Sequence, residues 1–476
     1  MKQTTLRTNI IESTNNISFP IGSITFVRNF FEKLSLAEVF SKYKKRGRDI
    51  NKLLEILLSY KLTENLSISK ASLWANRPEL LLEFKIKEFE ERTLFRVLEI
   101  IGDNREEIML KIQRILFKKY DFEHTDTNLD WTSMVLHGMK CPIGEYGYSR
   151  DHRPDKKQIT IGLAELRKPI NIPYGLTIQP GNVNDHKHFK ETYGQIKEHL
   201  KPHSLIIFDK GANSKDSLSS ILADKMKYLT AKKLNLSDDK RIKSFDKEKA
   251  EVIDAESGIY GIQYKFPSRF DYFYFSEKLQ KEQLESKYRK AERKLREAKE
   301  IQKAIDSNRQ LPKRYQIRNE LVNITYSFQT KLKELSEEEA KKLVEKACIT
   351  GREGFFCLIS SENLTLSEAL KIYREKDSIE KTINSLKNEI VIKPLRVWSE
   401  KSIYGAVIIG FLAQLFISLM RYENEELKTA STKFIKISLM NLTVTIEFMP
   451  NGKKRKIFSN FDHINALIWG QNTAIT

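Results

Sequence analysis

Three acidic residues stand where a carboxylate is either costly or useful. Asp130 interrupts the apolar run NLDWTSMVL, where an ionised side chain is unfavourable unless it binds a cation or ends the element. Asp209 follows LIIF and precedes Lys210-Gly211, and ligand sites in open α/β sheets gather where a buried strand releases into such a turn. Glu380 lies in YREKDSIEKTINSLKN. At the helical period, Tyr373, Lys376, Glu380 and Lys387 share one polar arc beside an apolar stripe of Ile372, Ile379, Ile383 and Leu386. Two strand-end aspartates and a glutamate on a core-packed helix form a donor set for two hard divalent cations, which take oxygen ligands and leave room for water and phosphate. That chemistry is in-line phosphoryl transfer. Singly, each acid has a plainer explanation: a strand-end Asp often caps the next helix, and Glu380 can pair with Lys376 at i,i+4 on a surface helix.

Such a site needs a scaffold that brings distant chain positions together. Short β-branched runs at 129–136, 158–164, 172–179 and 204–208 predict strands, and 185–200 and 214–224 predict helices, together an α/β sheet. The run 354–361 reads as a strand returning to it. Thr365 with Glu368 has the spacing of a capping box, opening a helix that extends to about residue 390. Residues 1–120 show helical apolar spacing around a basic stretch, KYKKRGR at 43–49. Between 232 and 353 the sheet is interrupted by an aromatic strand-like piece at 259–276, a charged helix at 277–308 and a second helix at 336–347. Near the C-terminus, SLMNLTVTIEFMPNGKKRKIFS reads as a β-pair turning at Pro450-Asn451-Gly452.

Composition narrows the partner. In 476 residues, 82 Lys+Arg against 63 Asp+Glu leave a net charge of +19. An anionic polymer is the natural partner of that cationic surface. Cys141, Cys348 and Cys357 are far apart and without CxxC spacing, which argues against a disulfide framework or a zinc knuckle and for a reducing cytosol. The N-terminus carries no apolar run of signal-peptide length. The apolar run 403–420 is about as long as a short membrane span. It contains Gln414 and Ser418 and stands alone in a chain of mean hydropathy −0.47, so a buried core helix is expected and no membrane.

The blocks around these residues resemble the DDE transposases of bacterial and archaeal insertion sequences. The resemblance is to the group with a Tyr-x2-Arg-x3-Glu-x6-Lys signature and an insertion before the catalytic Glu. Here the signature stands as Tyr373, Lys376, Glu380 and Lys387, with Lys in place of Arg, a change that keeps the charge but loses bidentate phosphate geometry. DWTSM at 130–134 looks like the first-Asp strand, and GYSRDHRPDKKQITIGL at 147–163 like the Gly-Tyr-Ser-x-Asp-His-Arg block. PGNVNDHKHF at 180–189 is similar to the Gly-Asn-x-x-Asp turn. FDKGANSKDSL is similar to the second-Asp strand, and KPLRVWSEKSIYGAVIIGFLAQL to the region after the Glu helix.

The resemblance implies an α/β fold in which an RNase H-like mixed sheet with flanking helices is interrupted by an α+β insertion domain and preceded by an all-α DNA-binding region. The expected boundaries are 1–120 for that region, 121–231 and 354–425 for the two parts of the core, 232–353 for the insertion, and 426–476 for a DNA-binding or dimerisation region. It implies Asp130, Asp209 and Glu380 as catalytic metal ligands for two Mg²⁺ or Mn²⁺ ions, and DNA contacts from Tyr373, Lys376 and Lys387. His152 and Arg153, in a short polar loop within a shared block, are expected to bind DNA or brace the site, the alternative being a role in loop architecture only. The implied activity is cleavage at terminal inverted repeats and transfer of the 3′-OH ends into target DNA, by a homodimer acting in the cytoplasm at the nucleoid. A catalytically inactive DNA-binding regulator, or a metal-dependent nuclease without strand transfer, would share the scaffold. Asp126 is a rival first carboxylate without the following Thr-Ser. Asp185-His186-Lys187-His188 reads as a helix start rather than a metal motif. The aromatic cluster at 272–275 reads as core, with base stacking by one of its members left open.

Overall fold

The computed structural model describes residues 16–44, 46–63, 67–137, 141–307, 309, 335–390, 392, 395, 397–449 and 453–469. Two compact units emerge, one of Met1–Lys227 with Glu375–Thr476, the other of Tyr228–Arg374.

The first unit opens with a short strand, β1 (Ile17–Pro20), and seven helices: α1 (Gly22–Lys33), α2 (Leu36–Phe40), α3 (Ile50–Lys61), α4 (Ile68–Ala75), α5 (Pro78–Phe84), α6 (Arg92–Asp103) and α7 (Arg105–Tyr120). Its sheet follows, with β2 (Thr127–Val135), β3 (Gln158–Leu166), β4 (Ile172–Pro180) and β5 (Leu205–Phe208) in the spatial order β4-β3-β2-β5. The helices α8 (Asp185–Ile196) and α9 (Lys215–Ala223) follow β4 and β5. β3 is antiparallel to β2 and β4, whereas β2 and β5 run parallel with Leu129 opposite Phe208. Asp130 and Asp209 therefore follow paired residues on adjacent parallel strands.

In the second unit, β6 (Lys227–Lys232) begins at the unit boundary and is followed by α10 (Asp238–Lys243), β7 (Glu251–Asp254), β8 (Ile259–Phe266) and β9 (Arg269–Ser276). The helices α11 (Glu277–Asp306) and α12 (Glu337–Cys348), then β10 (Phe355–Ser360), complete a sheet ordered β6-β10-β9-β8-β7. The aromatics at 272–275 are buried core of β9. The Tyr272 hydroxyl donates to the Glu362 carbonyl at 2.8 Å and the Tyr274 hydroxyl to the Leu366 carbonyl at 2.7 Å.

The single helix expected from Thr365 to about residue 390 is three segments: α13 (Leu366–Glu375), α14 (Asp377–Asn384) and a π-turn over Ser385–Glu389. Its start is as expected, with the Thr365 hydroxyl accepting from the Glu368 amide at 3.2 Å and the Glu368 carboxylate accepting from the Thr365 amide at 2.9 Å. The breaks follow long-range partners rather than Gly or Pro. Lys376 is drawn to Asp209 and Lys387 to Ser133.

The apolar run is the centre of α15 (Glu400–Glu423), and 94% of its most apolar window is buried inside the chain. A helix hydrophobic all round is covered on all sides. At Gly405 a Cβ would lie 2.1 Å from the Leu98 carbonyl oxygen, and at Gly102 one would lie 2.0 Å from that of Lys401. The α6 and α15 backbones touch at these two glycines, and alanine at either would cost about 1–3 kcal/mol of overpacking. The chain ends with α16 (Thr432–Asn441), β11 (Thr443–Phe448), β12 (Lys454–Ser459) and α17 (His463–Trp469). β11 pairs with both β12 and β1, so residues 17–20 form a strand inside a region expected to be helical throughout. Their pairing partner lies at the opposite end of the sequence. The turn expected at Pro450-Asn451-Gly452 lies outside the described residues.

Candidate active site

The aspartates arrive by strand register and Glu380 by a helix laid across β2 and β3. Asp130 is half-buried, and one carboxylate oxygen accepts the Trp131 amide at 2.9 Å. Burial pushes its carboxyl up to about 6, Lys376 opposes the shift and Asp209 adds to it. Asp209 and Glu380 keep their side chains 45% and 58% exposed.

The three acids are gathered around one cation. Lys376 is 3% exposed, and its Nζ lies 3.3 Å from Asp209 and 3.3 Å from Glu380. Burial alone pulls this ammonium down, but the fields of Asp130, Asp209 and Glu380 override it and hold its pKa above the ordinary lysine value. The sequence sets Lys376 on one polar stripe with Glu380, and the two do pair at i,i+4; the same ammonium also reaches Asp209, so Lys376 lies inside the acidic cluster.

Lys387 leaves the arc shared with Glu380. The π-turn rotates it so that Nζ donates to the Ser133 carbonyl at 2.5 Å and pairs with Asp151 at 3.3 Å, 7% exposed. Tyr373 is half-buried on α13 and belongs to the second unit. His152 is exposed with φ +54. The Arg153 guanidinium is held in a fork by Asp155 at 2.9 and 2.8 Å. Asp126, the rival carboxylate, is a structural link: it accepts the Leu205 amide at 2.9 Å and faces Arg167 at 3.8 Å. His188 is buried between Thr160 and Thr177, and burial holds its ring down at about 3, a neutral core imidazole rather than a ligand.

Three positions were missed. Arg150 pairs with Asp185 at 2.5 Å and its charge reaches Asp130. Both residues stood in quoted blocks, but only their proximity reveals the pair. Glu165, fully buried on β3, accepts hydroxyls from Ser378 and Thr382 of α14. Its signal was an acid inside the apolar run QITIGLAEL.

The donor chemistry fits a hard divalent ion, since three carboxylates from separate elements already surround one cationic centre. As they stand, no group of three His, Cys, Asp or Glu side chains among the described residues is spaced to hold a metal. The ammonium of Lys376 is the cation they share.

Asp130 lies within β2 rather than at the strand end expected from the sequence, and a mixed α/β scaffold that gathers it with the acid after β5 and one on a helix suits metal-assisted phosphodiester chemistry. The family model described as the transposase DDE domain matches residues 122–416, more than half the chain, and the chain belongs to that family. No curated protein matches it. Among solved structures it is distantly similar to a cryo-EM structure of a piggyBac transposase synaptic complex with hairpin DNA. The identity is 12% and the TM-score 0.42, covering 89% of this chain and 80% of that one.

Proposed function

We propose that this chain is the transposase of an insertion sequence, cutting at its terminal inverted repeats and joining the freed 3′-OH ends to target DNA. The observation that carries this reading is the grouping of Asp130, Asp209 and Glu380 about the Lys376 ammonium, within a chain of the DDE family. The antiparallel β4-β3-β2 set with β5 parallel to β2 is consistent with an RNase H-like core. Asp130, Asp209 and Glu380 would hold two Mg²⁺ or Mn²⁺ ions, which supply Lewis-acid stabilisation of charge on the phosphate oxygens.

Two displacements follow at one site. Water oxygen bonds to phosphorus at the element's end, the P–O3′ bond breaks, and the 3′ oxygen leaves as a hydroxyl. That hydroxyl then attacks a target phosphorus, giving up its proton, and the target's own 3′ oxygen leaves. Tyr373, His152 and Arg153 are assigned to DNA contact, and Lys376 and Lys387, buried here against Asp209, Glu380 and Ser133, would meet phosphate only once released from those partners, with lysines as point charges and tyrosine as a hydroxyl donor. Residues 1–120 are assigned to end binding, 426–476 to DNA binding or dimerisation, 121–231 with 354–425 to the catalytic core, and 232–353 to the insertion. Acting on nucleoid DNA in the cytoplasm, a homodimer would bring two ends together.

Purified protein with Mg²⁺ or Mn²⁺ should nick DNA carrying the element's ends and yield joined products with target DNA. Cleavage that persists in EDTA contradicts the proposal. Cleavage without joined products leaves only a nuclease.

A further inference from the structure

We infer that Glu165 is the positioning residue for Glu380, acting through a sealed polar clamp between β3 and α14. This rests on the reading of Glu380 as a catalytic ligand. Glu165 and Asn128 sit directly opposite each other on β3 and β2, so their side chains share the face of the sheet on which α14 lies. Ser378 and Thr382 stand at i,i+4 on α14 and therefore on one side of it. The Ser378 hydroxyl donates to one Glu165 oxygen at 2.9 Å, the Thr382 hydroxyl donates to the other, and the Asn128 amide donates to Ser378 at 3.1 Å. Glu165 is 0% exposed, and no cation is paired with it among the described residues.

A buried carboxyl without a cation is expensive to retain, and apolar contacts from Ile379 and Ile383, both buried, would hold α14 on the sheet without it. What apolar packing does not fix is rotation about the helix axis. A carboxyl with two oxygens, each taking a hydroxyl one turn apart, fixes that rotation because any roll breaks both bonds at once. Glu380, two residues from either hydroxyl, projects from the opposite side of α14. Locking Ser378 and Thr382 to β3 thereby aims Glu380 at the cluster containing Asp209 and Lys376. Asn128 carries the same clamp to the strand that bears Asp130 two residues on, so helix and strand are tied together at the level of the acids.

The test is single-turnover end cleavage at saturating DNA by full-length Glu165→Gln, Glu165→Met and Thr382→Val, with DNA affinity and melting temperature measured on each. Gln can still bond both hydroxyls, so its rate should stay within about threefold of wild type. Met and Val should lower the rate by roughly tenfold or more with DNA affinity unchanged. A role in folding alone would move the melting temperature and leave the rate of the folded protein intact. Wild-type cleavage by folded Glu165→Met or by Thr382→Val overturns the inference. If Met prevents folding, Thr382→Val decides alone, because it removes one bond at nearly constant shape. Asp130→Asn is run alongside: its full activity would sink the reading of the site itself, whereas its loss combined with an active Glu165→Met sinks only the clamp.

Discussion

Two glutamates, Glu380 and Glu165, meet the same short helix from opposite sides and live in different electrostatic worlds. Glu380 keeps 58% of its side chain exposed and shares a buried lysine with Asp209. Glu165 has no solvent and, among the described residues, no cation, only two hydroxyls and a carboxyl pushed up to about 7 by burial, which the hydrogen bonds partly offset. The first environment leaves a carboxyl group accessible beside a cation, as a metal ligand must be. The second tolerates a carboxyl only as a geometric anchor. Residue type does not separate the two roles; access and the nearest positive charge do.

The sharpest break in that comparison comes from removing charge on the open side. Glu380→Gln or Asp209→Asn should reduce end cleavage by roughly a thousandfold or more while DNA binding, read by gel shift, stays close to wild type. A mild loss would place Glu380 outside the chemistry. On the sealed side, Ser378→Ala removes the bonds to both Glu165 and Asn128 and should slow cleavage at saturating DNA at least as much as Thr382→Val, by roughly tenfold or more. Clearly smaller damage from Ser378→Ala would mean that the Thr382 bond alone anchors the helix.

Lys376 is the cation of the open side, and its removal gives a smaller effect of opposite sense. Lys376→Met deletes the cation with which a divalent ion must compete, so the Mg²⁺ concentration at half-maximal thermal stabilisation should fall by roughly threefold or more. An unchanged midpoint would assign Lys376 to DNA phosphate alone.

The smallest effect is a dependence of stability on pH. Folded, Glu165 keeps its proton up to about pH 7; unfolded, it loses it near about 4.3. Between these values the native state holds more protons than the unfolded state, so stability falls as pH rises through that window and levels off above about 7. Glu165→Gln cannot titrate. Its melting temperature relative to wild type should grow from near zero at pH 5 to a few degrees at pH 8. The difference also removes the contribution of His188, which runs the other way because its depressed ring makes stability fall as pH drops. A flat difference would mean Glu165 is charged without penalty.

Elements whose signal is local were legible in the sequence. The strands at 127–135, 158–166, 172–180 and 205–208 and the buried helix 400–423 carry their identity in apolar runs bounded by turn residues. Asp130, inside β2 rather than at its end, and Asp209, just after β5, were legible for the same reason, as charges where the pattern asks for apolar residues. What the pattern hid was set by partners far along the chain. No Gly or Pro marks the break at Lys376 or the π-turn at Lys387. Asp209 and Ser133 are the partners met there, and so Lys387 leaves the arc that Lys376 and Glu380 still share as an i,i+4 pair. Strand β1 was hidden likewise, since its pairing partner is β11. Glu165 stood just past the strand expected at 158–164, and its hydroxyl partners are on a helix more than two hundred residues later.

The account turns on Asp130, Asp209 and Glu380 forming a single metal-dependent site. A crystal of the full chain with end DNA and Mn²⁺, measured for anomalous scattering, tests that directly. The account predicts manganese peaks in coordination contact with carboxylate oxygens of all three residues, with Lys376 moved off the acids. Manganese bound elsewhere, or Lys376 still bridging Asp209 and Glu380 in the loaded complex, would contradict it.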